Sequence, residues 1–461
     1  MASSRKSKPN SLDSLEAKVG AALGSLLFPG ARLALGLSGG LDSVVLLEVL
    51  RGLAGSLGFQ LSCVHVNHHI SPNANRWAAF CARLCQRHKI ALALHDVDVA
   101  PYRADGLEAA ARRARYKVYA GQHDADFIVL AQHLDDQAET LLLQLLRGAG
   151  VKGGAAMPLV RAQDRGNKGK GTPAPAILRP MLALSREQIE AYARAHKLKW
   201  VEDESNADTR HDRNFLRHRV LPVIEQAFPG YRATLARAAG HLAEASLILD
   251  QLAEADAKRA VRGNRLALAE LQRLGSARAK NLLRWLLLQQ RQAAPEADRL
   301  QEGLRQLFAA RDDAVVCIAL GARELRRYAG WAYLLPALPD PPVDLRREWD
   351  GARTWLLPEL GGTLRFTRRQ GAGLACARVR EPGLSLRLRQ GGEKLRLQAK
   401  GSTRSLKNLL QEACLPPWER ERLPLVYCAD TLVAVPGLGV ASGWEAGTGE
   451  AGWLISWRPQ A

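Results

Sequence analysis

Through roughly the first two hundred residues, short apolar runs alternate with stretches whose apolar positions recur every three or four residues. The runs at 32–37, 61–66, 90–97 and 127–130 predict strands. The stretches 41–53, 73–88, 107–121, 135–147 and 186–196 carry helical spacing. Strand and helix in strict alternation is the pattern of an α/β fold, a Rossmann-like doubly wound parallel sheet with crossover helices. From about Leu221 to Leu335 the pattern turns helical, with Leu235, Leu242, Leu249 and Leu252 on one face and a second amphipathic run at 281–290. The proline-rich stretch 336–342 reads as a linker. Beyond it, short alternating runs such as 384–388 and 431–435 surround a helix near 405–413, predicting a small basic α/β domain. The expected division is 1–219, a helical 220–335, and 343–461. The polar Gly/Pro/Lys stretch 161–175 reads as a surface loop.

Charge changes this picture first. The chain carries 65 Lys and Arg against 46 Asp and Glu, a net +19. Such an excess suits a polyanionic partner, since each neutralised phosphate releases condensed counterions; solubility charge is the plainer alternative. The segment 365–407 holds twelve Lys and Arg against two Glu, more than half of the net charge. No apolar run approaches the length a membrane helix needs, because the best, at 20–37, is broken by Pro29 and Arg32. Arg5, Lys6 and Lys8 are followed by Asp13 and Glu16 with no signal-peptide core between them. The seven cysteines are scattered and odd in number, which predicts a reducing, cytoplasmic setting rather than a disulfide framework. Cys81 and Cys85, one helical turn apart, read as core packing.

Candidate chemistry concentrates at strand ends. The string Ser38-Gly39-Gly40-Leu41-Asp42-Ser43 follows an apolar strand and opens a helix. Glycines let backbone N–H groups converge on an anion, and the helix N-terminus adds its positive end. Asp42 would repel phosphate unless it holds Mg²⁺, so it is the candidate metal residue. An ordinary glycine turn with capping side chains is the alternative, weakened by the whole string standing after a strand. A second site, from Gln132 and His133 through Asp135, Asp136 and Glu139 to Thr140, opens a helix after the strand at 127–130. Its carboxylates share a face and could hold a metal, an ammonium group or a proton, or simply complement the helix dipole. Arg112 and Arg115 at helical spacing suit phosphate or base contacts, with Tyr116 placed to stack, unless they line a solvated face. His65, Asn67, His68 and His69 end the second strand, but nothing completes a tetrahedral zinc set. A Gly148-x-Gly150-x-x-Gly153 string follows a helix rather than a strand, which rules out a dinucleotide reading.

The loop at Ser38 to Ser43 resembles that of the N-type ATP pyrophosphatases, the PP-loop superfamily. With His65-Val-Asn67-His68, Ala111-Arg112-x-x-Arg115-Tyr116, His133-x-x-Asp136-x-x-Glu139, Arg179-Pro180 and Arg213-Asn214-x-x-Arg217 in one order, the chain resembles the bacterial tRNA(Ile)-lysidine synthetases, long form. The stretch from Arg389 through Lys407, then Pro416-Pro417-Trp418 and Pro424-Leu425, is similar to that family's end domain. The resemblance implies an adenine nucleotide alpha hydrolase-like fold. It also implies a carbon–nitrogen ligase that turns ATP into AMP and pyrophosphate, with Mg²⁺. The partners implied are isoleucine tRNA with a CAU anticodon and free L-lysine, with no DNA and no membrane. ATP would adenylate the C2 carbonyl oxygen of the wobble cytidine, and lysine would displace AMP to leave lysidine, shifting codon reading from AUG to AUA. Asp42, Asp136, Glu139 and Arg112 are then the candidate catalytic residues. His133, Arg115 and Arg217 are candidates for lysine or tRNA contact. No C-x-x-C pair is present, which argues against sulfur transfer.

Overall fold

The computed structural model describes residues 14–101, 106–162, 174–292, 295–311, 314, 316–379 and 383–459. Most of the expected loop at 161–175 lies outside them. The chain forms two compact units, Met1–Ile248 and Leu249–Ala461.

In the first unit, strands β1 (Arg32–Gly36), β2 (Gln60–Asn67), β3 (Ala91–Asp96), β4 (Phe127–Val129), β5 (Val160–Arg161) and β6 (Ala176–Leu178) make one sheet, ordered β3-β2-β1-β4-β6-β5. All neighbours are parallel except β5, which runs antiparallel to β6. Leu35 faces Cys63 on one side and Val129 on the other. The helices are α1 (Leu15–Gly24), α2 (Leu41–Leu57), α3 (Ala74–His88), α4 (Leu107–Ala120), α5 (Leu134–Leu146), α6 (Val151–Gly154) and α7 (Arg186–Ala195). Leu33, Leu35, Leu46, Leu47 and Leu50 are buried where β1 and α2 meet the core, each contributing about 1.5–3 kcal/mol. Cys81 and Cys85 pack in that same core. The chain runs β1 to β3 outward, then returns to lay β4 on the other side of β1. That reversal opens a crevice at the carboxyl ends of β1 and β4, where such sheets take ligands.

Beyond α7 come the short α8 (Asp212–Phe215), a π-helical turn (Leu216–Val220), α9 (Leu221–Ala227) and the long α10 (Tyr231–Ala260). The second unit departs from the expected helical run. Its helices Leu268–Gln289 and Ala297–Ala309 are joined by a five-stranded sheet made of Val261–Arg262, Arg265–Ala267, Cys317–Leu320, Arg323–Tyr328 and Trp331–Pro336. Helix and sheet share one core of Leu271, Leu283, Leu304, Leu325 and Leu334, so neither could be buried without the other. The rest is sheet-rich. Strand Gly362–Gln370 pairs along its length with Ala451–Pro459, over a core of Leu364, Phe366, Trp349 and Trp453.

Candidate functional site

The loop after β1 folds back on its own serines: the Gly39 N–H donates to Ser43 Oγ at 3.2 Å and the Gly40 N–H to Ser38 Oγ at 3.3 Å. Gly39 has φ +89, and a Cβ there would lie 3.0 Å from Val201 Cγ2 and 3.1 Å from Cys81 Sγ, so glycine is required. Gly40 caps α2 without a side-chain bond. The first-turn N–H groups therefore have no intrahelical acceptor and sit at the positive end of a 17-residue helix. Ser38 Oγ lies 3.1 Å from Ser43 Oγ, and Ser43 Oγ donates to Gly40 O at 2.9 Å, which stiffens the turn. His65 Nδ1 holds Leu37 O at 2.8 Å, and Val201 N–H donates to Gly39 O at 3.0 Å, pinning the loop from both sides.

Asp42 and the start of α5 converge in the crevice. His133 is buried, with Nε2 3.8 Å from Asp42 and 3.5 Å from Asp136, and Nδ1 3.5 Å from Asp135. Burial disfavours its charged form, but these carboxylates outweigh burial and raise its pKa. Burial raises the Asp42 carboxyl pKa despite His133 and Arg186 nearby. Arg186, at the start of α7, donates to both Asp42 oxygens at 3.3 and 3.2 Å. Its backbone N–H donates to Asp135 at 2.9 Å. Asp135 is also bonded by Arg232. Although burial opposes it, these partners and His133 hold its carboxyl well below the usual range.

Asp136 and Glu139 face two arginines from the segment after α7. Glu139, 1% exposed, accepts from Arg213 Nε at 2.7 Å and from Arg217 Nε and Nη2 at 2.6 and 2.9 Å. Asp136 accepts from Arg213 Nη2 at 2.6 Å and from the His133 backbone N–H at 3.0 Å. Burial works against both guanidiniums, yet the two carboxylates keep their pKa values raised. Any incoming ammonium group thus competes with arginine for this pair. Beside it a cleft of about 350 Å³ is lined by His133, Asp135, Glu139, Arg186, Arg217 and Tyr231 among others.

Arg112 and Arg115 form a separate group. Arg112 lies over the Tyr116 ring at 5.0 Å, with Arg161 at 5.8 Å. Arg115 Nε donates to His68 Nε2 at 3.4 Å. Burial, with Arg115 alongside, pushes the His68 pKa down to about 4, so it meets the arginine as a neutral acceptor. His69 pairs instead with Asp96 at 2.7 Å, and His65 with the loop backbone, so the three histidines serve three different places. Arg179 is buried, donating to Gln132 and to Pro158 O at 3.1 and 2.9 Å. No pattern in the sequence gives a role to Arg186 or Arg232, or one of its own to Arg213. The Asp42, Asp135 and Asp136/Glu139 carboxylates they hold lie 144, 97 and 74–77 residues away along the chain, beyond any local pattern.

Three family models match the chain: the PP-loop domain over residues 12–224, the TilS substrate binding domain over 266–333 and the TilS substrate C-terminal domain over 384–457. A tRNA(Ile)-lysidine synthase of Nitrosomonas europaea is 44% identical over 434 residues, covering 94% of this chain and 93% of that protein. The chain belongs to the tRNA(Ile)-lysidine synthase family. Relatives of that name from Chromobacterium violaceum and Coxiella burnetii are 42% and 37% identical, each over 92% of this chain and 94% and 92% of their own. The crevice at the ends of β1 and β4 therefore lies within the PP-loop, ATP-binding part of a tRNA(Ile)-lysidine synthase family member. Among the described residues no helix is long and apolar enough to cross a membrane.

Proposed function

We propose that the chain is a carbon–nitrogen ligase that joins L-lysine to C2 of the wobble cytidine in isoleucine tRNA with a CAU anticodon, releasing AMP and pyrophosphate. The observation that carries this reading is the glycine turn at Ser38 to Ser43, which opens α2 with uncapped first-turn N–H groups and Asp42 at the sheet's switch point in a chain of this family. The pyrimidine C2 oxygen is a poor leaving group. It attacks the α-phosphorus of ATP, pyrophosphate departs, and the oxygen now leaves as part of AMP when the lysine ε-amine attacks C2. First-turn N–H groups of α2, with Ser38 and Ser43, bind the departing pyrophosphate. A partly exposed carboxylate, held by an exchangeable arginine beside a phosphate cradle, suits a cation that completes its ligands with substrate phosphates. Asp42 would hold Mg²⁺, which neutralises charge at the leaving group.

Asp136 and Glu139 set the charge of the lysine approach, and a lysine amine reaches them by displacing Arg213 or Arg217. Arg112 and Arg115, with His133 and Arg217 nearer the cleft, contact the tRNA or the adenylate. Residues 1–219 carry the chemistry, and 220–335 and 343–461 carry tRNA binding. The test is AMP release from ATP by the full chain with each tRNA and amino acid in turn. Stimulation by isoleucine tRNA supports the reading, whereas release that ignores RNA contradicts it.

Arg365, Arg368 and Arg369 are exposed on strand Gly362–Gln370. Replacing all three by Gln in the full chain is expected to weaken tRNA binding. The slope of log affinity against log salt should become shallower by about 0.7–0.9 for each phosphate that is no longer neutralised. An unchanged slope would remove this strand from the RNA interface.

A further inference from the structure

Asp42 already has a cation of its own. The Arg186 Nη1 group spans both carboxylate oxygens, and Nε is tethered to Glu190 Oε1 at 3.1 Å. The remaining nitrogen, Nη2, makes no hydrogen bond among the described residues. The side chain is 43% exposed and lines the same cleft as His133 and Arg217. A half-exposed ion pair of this kind is weak and easily exchanged. Its position is less ordinary: it bridges the first turn of the loop helix α2 and the start of α7, at the point where phosphate and cation must enter.

We propose that Arg186 is a placeholder cation, neutralising Asp42 while no nucleotide is bound, releasing it to the divalent cation that arrives with ATP, and then turning to the pyrophosphate leaving group. This rests on the assignment of Asp42 to a metal under the proposed function. A guanidinium and a divalent cation repel one another, so both cannot hold the same two oxygens. Once freed, the guanidinium is a planar fork that matches phosphate oxygens, and the Glu190 tether keeps it in the cleft.

The test uses the full chain without nucleotide and Mn²⁺ alone as the probe, read by electron paramagnetic resonance. Arg186→Ala is expected to bind Mn²⁺ about two- to fivefold more tightly than the unaltered protein, the competition of one exposed pair being removed. The gain should vanish in the Asp42→Ala, Arg186→Ala double variant. In the same Arg186→Ala protein, tRNA-dependent exchange of labelled pyrophosphate into ATP should fall by about 10- to 150-fold, the worth of one charge-assisted contact, and Arg186→Lys should restore part of it. Tighter metal binding with slower exchange cannot come from a misfolded protein. Unchanged Mn²⁺ affinity in Arg186→Ala, with binding lost in Asp42→Ala, would overturn the placeholder and leave the Asp42 assignment standing. Mn²⁺ binding that survives Asp42→Ala would overturn the Asp42 assignment itself. Normal exchange in Arg186→Ala would overturn the pyrophosphate contact.

Discussion

Asp42→Ala is expected to cut AMP and pyrophosphate formation by about 10²–10³-fold while tRNA binding survives, because it removes charge stabilisation that is needed only as pyrophosphate leaves. The fold should tolerate the change. Asp42 sits at the rim of the crevice with its side chain 29% exposed, and its contacts are one exchangeable arginine and a distant His133 nitrogen. The Asp42 side chain is not among the core contacts of α2, whose buried Val45, Leu46 and Leu50 belong to an apolar cluster that does not include it. The measurement is the steady-state rate of tRNA-dependent AMP release, paired with a tRNA binding isotherm. Near-normal AMP release would sink the metal assignment, and loss of tRNA binding together with catalysis would make Asp42 structural.

Glu139→Gln should behave in the opposite way and cost stability first. The carboxylate is 1% exposed and receives three arginine hydrogen bonds. An amide has one acceptor oxygen and no charge, so Arg213 and Arg217 would be left half-buried with too little negative charge between them. Breaking a buried pair in this way costs about 3–5 kcal/mol. For a unit of this size that is a fall in melting temperature of about 6–20 °C, measurable by calorimetry. A shift under about 2 °C would mean the network is solvated and weak. Asp136→Asn leaves Glu139 in place and is the cleaner probe of the amine. It is expected to raise the lysine requirement about 10- to 150-fold with little change in that for ATP. Equal losses for both substrates would assign this carboxylate to a metal or to the fold.

Much of the first unit was legible in the sequence because its signals are local. A buried parallel strand reads as an apolar run, and the glycines at 39 and 40 mark a turn that only small residues can make. The ends of β1 to β4 fell within two residues of expectation for that reason. The second unit was less legible. Arg323–Tyr328 reads Arg-Glu-Leu-Arg-Arg-Tyr, with one aliphatic residue facing the core at Leu325, so its period of two is nearly invisible between amphipathic helices. At the site, residue types were readable but pairings were not. Asp136 and Glu139 announced a carboxylate face by their spacing on α5, while the arginines that saturate them come from a short helix and a π-helical turn far along the chain. Arg186 looked like the first residue of an ordinary helix, and only the packing of α7 beside α2 gives it Asp42 as a partner.

A chain that read only the CAU anticodon would also modify methionine tRNAs, so discrimination must come from base edges or RNA shape elsewhere on the molecule. Incubating the purified protein with ATP, Mg²⁺, labelled lysine and each unmodified tRNA tests chemistry and selectivity together. The expected result is label in isoleucine tRNA with the CAU anticodon, one AMP and one pyrophosphate for each lysine incorporated, and methionine tRNA left essentially unlabelled. No incorporation of lysine into the isoleucine tRNA, with AMP formed only when another nucleophile is supplied, would contradict the proposed reaction.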